Sequence, residues 1–401
     1  MTPPLDGVRV IEFGHDWACP HAARLLADFG AEVIKVEYPR RLDGMRGAST
    51  ADRLHDRHPR FHQLNRNKRS ATFDLERRED REAFAALVQV SDVLISNARA
   101  GVLERLGFGR AELHRLRPDL IVVSMTAFGE SGPCAHHVGY GGTIEALSGL
   151  QSLTAYGPGA PPRRIREMDV INGIVGACAV LTALVERAET GAGRWIDLSQ
   201  LEAATSVLLG EHLLELAVNG TRSLPRGNAH PAYAPSGCYP CRGDDAWVTI
   251  SVRSDAEWRA LCTTAGQPAW AADPRFATLA DRVRHRDALD ALIAAWTRTL
   301  DPREVMHRLQ AVGVPAAAVL DAAALATDPH LVARAYFQAA ADGSGWFPGF
   351  PFRLAGGGAL VRWRGPDLGV DDAYVKGRLA GCPHAVRPLD VSALGTAFEV
   401  E

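Results

Sequence analysis

Asp169 stands at the head of a long apolar stretch, DVINGIVGACAVLTALV, and a carboxylate in that place has two readings. It can cap the helix, accepting N–H bonds of the first turn, an interaction of roughly 0.5–2 kcal/mol. It can also react. The helix dipole favours an anion there by roughly 0.3–1 kcal/mol. A carboxylate can then attack an acyl carbon, form an anhydride and split one hard transfer into two easier steps. Patterning alone favours the cap, and the two readings do not exclude each other. The glycine-rich segment 139–142, with Gly173 and Gly176, leaves room beside Asp169 for a bulky acyl group.

Other chemistry-bearing patterns are weaker. Cys238 and Cys241 have C-x-x-C spacing, but no second pair follows and a zinc site needs four ligands. They read as core-facing or coincidental. His55, His58 and His62 lie close together in HDRHPRFH, which reads as a solvated basic loop. The first turn, GHDWACP, lacks G-x-G-x-x-G, so a strand–helix–strand opening that ends in Glu37 imitates a dinucleotide fold without its pyrophosphate cradle. There is no G-x-x-x-x-G-K-[ST] and no G-x-S-x-G, which disfavours direct ATP use and an α/β-hydrolase.

The elements that must position Asp169 alternate. VRVIEF (8–13), AEVIKVE (31–37), DVLISN (92–97) and LIVVSM (120–125) read as strands. CPHAARLLADFG, REDREAFAALVQV and RAELHRLRP read as the helices between them. That rhythm predicts a parallel α/β sheet with its ligand loops at the carboxyl ends, beginning at Gly14, Tyr38, Asn97 and Thr126. GYGGTIEALSG reads as a glycine-rich turn entering a helix. A helix over 169–187, a strand RWIDLS and a helix QLEAATSVLLGEHLLELAVNG follow. The Pro- and Gly-rich TRSLPRGNAHPAYAPSG marks a boundary near residue 222. Beyond it, a hairpin turning at Gly243-Asp244-Asp245 and three helical patterns predict a smaller α+β domain. Short strands in PFRLAG and LVRWRG predict a tail that returns to the first domain. The expected division is 1–221, 222–327 and 328–401.

The bulk composition fits this plan. The chain has 401 residues, 47% hydrophobic, with net charge −3, and the missing basic excess argues against a nucleic-acid partner. The basic residues are nearly all arginine, with Lys35, Lys68 and Lys376 the only lysines, a bias assigned here to codon usage. Seven scattered cysteines argue for a reducing compartment rather than a disulfide framework. The N-terminus does not read as a signal peptide. The apolar run 170–185 falls short of the ~20 residues a membrane span needs. A soluble, cytoplasmic protein without membrane partners is expected.

Several segments together resemble one family. LDGVRVIEFGHDWACPHAARLLADFGAEVIKVE, LNRNKRSATFDL, SNARAGVLERLGFG, SMTAFGESGP, TGAGRWIDLSQLEA, RGNAHPAYAP and GVPAAAVLDAAALATDPHLVAR are similar to the class III CoA-transferases, the formyl-CoA and carnitine CoA-transferase family. The match runs in order from about residue 5 to about residue 380. The resemblance implies a Rossmann-like large domain built from both termini, a smaller α+β domain, and an interlocked homodimer with each chain threaded through the other. It implies Asp169 as the catalytic nucleophile. It also implies CoA contacts at His15, Arg40, Lys68, Asn97 and Arg105, and a substrate pocket at Trp17, Tyr140 and Gly141. No metal and no tightly bound cofactor is implied; acyl-CoA and CoA are substrates, with an acyl-CoA donor and a carboxylic acid acceptor as partners.

The sequence departs from the family's pattern at four positions. Trp17 stands where some members carry glutamine, Gly141 where aspartate is common, and Arg166 and Glu167 where many members have small apolar residues. These changes suggest an unusual, polar acid substrate. Two alternatives stay open. An α-methylacyl-CoA racemase of the same superfamily uses a histidine in a GHD turn, but here the turn is Gly139-Tyr140-Gly141, and tyrosine, with a reference pKa of about 10, is a poor base near neutral pH. The other alternative is a non-catalytic CoA-binding subunit of a heteromeric transferase.

Overall fold

The computed structural model describes residues 2–47, 49–355 and 360–388. Six parallel strands form the main sheet: β1 (Arg9–Phe13), β2 (Glu32–Glu37), β3 (Lys68–Thr72), β4 (Val93–Ser96), β5 (Ile121–Ser124) and β6 (Trp195–Asp197). Their order is β3-β2-β1-β4-β5-β6. Successive side chains of a strand point to opposite faces, and the register shows it. Val10 pairs with Val33 and Val93, and all three join one core. Ile11 pairs with Ile34 and Leu94, and these join the core on the other face. Burial on both faces explains why β4 and β5 read as unbroken apolar runs.

Helices cover both faces. In chain order these are α1 (Ala18–Asp28), α2 (Pro59–Asn65), α3 (Arg78–Gln89), α4 (Val102–Arg105), α5 (Arg110–Leu116), α6 (Gly141–Leu147), α7 (Met168–Thr190) and α8 (Gln200–Asn219). The first face buries Ala22, Ala23 and Leu26 of α1 against Ala177, Val180 and Ala183 of α7. The second buries Phe84, Leu87 and Val88 of α3 with Leu113 of α5. Two glycines let α7 lie close. A Cβ at Gly173 would meet His21 at 2.5 Å, and one at Gly176 would meet Met125 Sδ at 2.6 Å. At 23 residues and mean hydropathy 1.9, α7 is long and apolar enough to cross a membrane by length and composition alone, which corrects the shorter run read from sequence. One of its faces is committed to the core just described.

Sequence patterning missed β3, whose residues KRSAT are mostly polar. This edge strand is held from outside. Ser70 N donates to Asp371 Oδ2 at 2.9 Å and Thr72 N to Asp372 Oδ1 at 2.7 Å, so the tail covers amides that would otherwise be an open edge. The strands expected in PFRLAG and LVRWRG are not formed among the described residues. There the backbone answers a side chain: Arg362 N donates to Asn67 Oδ1 at 2.6 Å, and Asn67 N to Trp363 O at 3.1 Å.

The described residues fall into two compact units, one of 2–47, 49–151, 164–222, 333–355 and 360–388, the other of 152–163 and 223–332. The second unit contains β7 (Ser236–Pro240), β8 (Trp247–Ser251) and β9 (Ala316–Ala318) in one antiparallel sheet. The β7–β8 turn carries Gly243 at φ +126 and Asp245 at φ +48. Trp258, Leu261, Phe276, Leu289, Ile293 and Leu309 fill its core. In the first unit, β10 (Phe337–Ala339) pairs with β11 (Trp346–Pro348).

Candidate active site

The chain runs outward from β1 through β2 to β3 and, on the other side, from β4 through β5 to β6. The sheet therefore reverses direction between β1 and β4. Loops at the carboxyl ends diverge at such a point and leave a crevice. A cavity of about 880 Å³ lies there, lined by residues following β1 (His15, Asp16, Trp17), β4 (Asn97, Arg99), β5 (Ala127) and β6 (Gln200). Its size falls within the roughly 300–1,000 Å³ of small-molecule sites.

The loop after β1 is held in an uncommon shape. Asp16 has φ +63, left-handed for a residue with a side chain. Asn97 fixes the loop from across the crevice: His15 N donates to Asn97 Oδ1 at 3.0 Å, and Asn97 Nδ2 donates to His15 O at 2.9 Å. Below, Asp43 Oδ1 accepts from Met45 N at 2.8 Å and from Asp16 N at 3.3 Å, and Asp43 Oδ2 lies 2.8 Å from Lys35 Nζ. Burial would raise the Asp43 carboxyl, but Lys35 and His15 outweigh it and hold it at about 2. Burial lowers the pKa of His15, against the pull of Asp43.

The opposite wall comes from α6 and α7. Helix α7 begins at Met168 and follows Glu167, whose side chain makes no capping bond. Asp169 thus sits inside the first turn and not at the cap, and its side chain makes no hydrogen bond among the described residues. The cap reading is corrected. The half-buried Asp169 carboxyl lies on the cavity wall, where burial raises its pKa, Arg164 opposes the rise and Glu145 adds to it. Its Oδ2 occupies the space a Cβ at Gly141 would need, 2.5 Å away. A side chain at 141 would therefore have to displace the Asp169 carboxylate. Tyr140, Gly141 and Trp17 line the same cavity.

Of the positions expected to contact CoA, the structure brings His15, Asn97 and Arg105 to the cavity and leaves out two. Arg40 points to solvent and pairs with Asp74 at 2.5 Å; its neighbour Arg41 faces the cavity instead. Lys68 is fully buried, its ammonium held by Glu12 Oε2 at 2.6 Å, Asn65 Oδ1 at 2.7 Å and Pro20 O at 2.8 Å. Burial lowers its pKa to about 8 against the pull of Glu12. All three of its donors are used, and it does not line the cavity. Sequence reasoning missed Arg41, Arg60, Arg99 and Arg164, which line the cavity with Arg105 and Arg166. The signal was the arginine bias, which residue counts could not separate from codon usage. Arg41, Arg60, Arg99, Arg105 and Arg166 make no side-chain hydrogen bond or ion pair among the described residues. Of the three histidines read as a solvated loop, His55 is in fact fully buried beside Asp56.

The site thus pairs an unpartnered carboxylate with a ring of guanidinium forks, which suit phosphates and carboxylates. The model of CoA-transferase family III matches residues 5–372. A succinyl-CoA–D-citramalate CoA-transferase of Chloroflexus aurantiacus is 37% identical over 94% of this chain and 94% of its own. The alpha subunit of a succinyl-CoA–L-malate CoA-transferase of the same organism is 31% identical over 91% of this chain and 86% of its own. The crystal structure of a CAIB/BAIF family protein from Brucella suis superposes with a TM-score of 0.85 at 32% identity, covering 94% of this chain and all of that one. The chain belongs to CoA-transferase family III and is an enzyme of that family.

Proposed function

We propose that this enzyme moves CoA from a donor acyl-CoA to an acceptor carboxylic acid through covalent intermediates on Asp169. One observation carries the reading: an ionisable carboxylate without a hydrogen-bonding partner, half-buried, on the wall of an arginine-ringed cavity. Asp169 attacks the donor thioester and releases CoA thiolate, leaving a mixed anhydride. The thiolate attacks the aspartyl carbonyl, gives an aspartyl-CoA thioester and frees the donor acid. The acceptor carboxylate attacks that thioester, again releasing thiolate and forming a second anhydride. Thiolate then attacks the acceptor's acyl carbon, yields the new acyl-CoA and restores Asp169. One thioester replaces another, so the sequence balances without ATP.

The raised pKa of Asp169 fits this role, since a more basic carboxylate is the better nucleophile once ionised. His15 and Asn97 set the floor, Arg41, Arg99 and Arg105 receive the phosphates of CoA, and Trp17 shapes the acyl end. The test is intact-mass spectrometry of wild type and Asp169→Asn mixed with acetyl-CoA or succinyl-CoA, with and without hydroxylamine. A hydroxylamine-labile adduct on wild type alone supports the reading. An adduct that survives in the Asn variant removes Asp169 from the chemistry.

We further propose that the enzyme is a cytoplasmic dimer in which a second copy of this chain covers the outer faces of α7 and α8. Ile174, Leu181 and Val185 on α7, and Leu213, Leu214 and Val218 on α8, are exposed apolar side chains. A relative is named as a subunit, which keeps a heteromer as the rival. Light scattering on the purified chain decides: twice the chain mass with full activity supports the homodimer, and an inactive monomer supports the rival.

A further inference from the structure

Helix α6 carries three features that meet the loop before Asp169. Its first two residues are Gly141 and Gly142. A Cβ at 141 would meet Asp169 Oδ2 at 2.5 Å, and a Cβ at 142 would meet Arg164 Cζ at 2.9 Å. The two glycines thus admit a carboxylate and a guanidinium side by side at one helix end. The third feature is Glu145, fully buried on the same helix. It accepts from Ile165 N at 2.6 Å and from Arg166 N at 3.4 Å, and its Oε2 lies 3.5 Å from Arg164 Nε. A buried carboxylate that takes two backbone amides fixes the loop's path. Its closest approach to Arg164 is at Nε. The two terminal amino groups of Arg164 have no hydrogen-bonding partner among the described residues, and the side chain lines the cavity.

A guanidinium held in this way presents a planar fork that matches a carboxylate through two parallel hydrogen bonds. Its charge bears on the Asp169 carboxyl, and both side chains line the cavity. Resting on the CoA-transfer reading, we propose that Arg164 is a specificity-determining residue. It binds the far carboxylate of a dicarboxylic acid whose near carboxylate reacts at Asp169. Glu145 is the positioning residue that sets Arg164 in place.

The experiment compares kcat/KM for butanedioate and for butanoate as acceptors, in wild type, Arg164→Met, Arg164→Lys and Glu145→Gln. The donor is whichever of acetyl-CoA and succinyl-CoA acylates wild type; with succinyl-CoA the acceptors are pentanedioate and pentanoate, because butanedioate would only regenerate the donor. Wild type should favour the diacid. The diacid-to-monoacid ratio should fall roughly 10–100-fold in Arg164→Met, the share of a charge-assisted hydrogen bond. Arg164→Lys should recover part of the ratio, because the charge stays while the fork is lost. Glu145→Gln should lower the ratio by a smaller factor, since the amide keeps one acceptor but not the charge. A general structural weakening would lower both rates and leave the ratio alone, so an unchanged ratio in Arg164→Met overturns the proposal. A wild type that takes both acids equally overturns it too. If neither donor acylates wild type, the CoA-transfer reading itself fails, and with it the proposal. Acylation at Asp169 with an unmoved ratio refutes only the role of Arg164.

Discussion

Gly141→Ala tests whether the position of Asp169, rather than its presence alone, sets the rate. The added Cβ would stand 2.5 Å from Asp169 Oδ2 and 3.0 Å from its Cγ. Ordinary contact needs about 3.4 Å, so the carboxylate must recede by about 0.9 Å, and a displacement near 1 Å at a reacting group costs on the order of 100-fold in rate. Folding should hardly notice. The atom displaced is the end of a side chain that can rotate away, and alanine in a helix is favoured over glycine by roughly 0.5–1 kcal/mol. The expected variant is therefore as stable as wild type, or slightly more so, and about 100-fold slower in acylation. Rapid-quench mixing with acyl-CoA, read by intact mass, gives the acylation rate; calorimetry gives Tm. A variant that acylates at the wild-type rate would refute the geometric argument. A variant that loses several degrees in Tm would show that the clash is borne by the backbone and not by the carboxylate.

Three further outcomes follow from the same structure. Asp169→Asn should abolish the acyl adduct yet raise Tm at neutral pH. Burial lifts the folded pKa, so the ionised form opposes folding once pH rises through that value, and calorimetry should show the gain vanish in acid. For the same reason the acid limb of kcat/KM should lie above the ordinary aspartate value, because activity needs the ionised form; a limb at that ordinary value would contradict the assigned environment. Lys68→Met should destabilise the fold by about 3 kcal/mol in urea unfolding, since it leaves Glu12 with one fewer buried counter-charge. A raised KM for acyl-CoA with unchanged stability would instead return Lys68 to the ligand.

The sequence by itself determined the layers. The apolar runs of β1, β2, β4 and β5 and the helical spacing of α1 and α3 are local signals, set by which face of each element must be buried. The place of the crevice followed, because ligand loops gather at the carboxyl ends of parallel strands. Asp169 was legible as a candidate, but its role was not: a cap and a nucleophile share one residue type at one helix end. Tertiary structure set the cap aside by starting the helix at Met168 and leaving the carboxylate without a hydrogen bond among the described residues. Tertiary structure also decided which cations line the cavity. Arg40 and Arg41 are adjacent in sequence, and only the turn after β2 sends one to Asp74 and the other to the cavity. Lys68 looked like a phosphate contact until Glu12, from a strand distant in sequence, was seen to hold it. The polar strand β3 was hidden because its stabilising partners, Asp371 and Asp372, lie about three hundred residues along the chain. Periodicity records what each element buries within its own few turns. It carries no record of which distant side chain will be waiting, and that is what selects a site's charges.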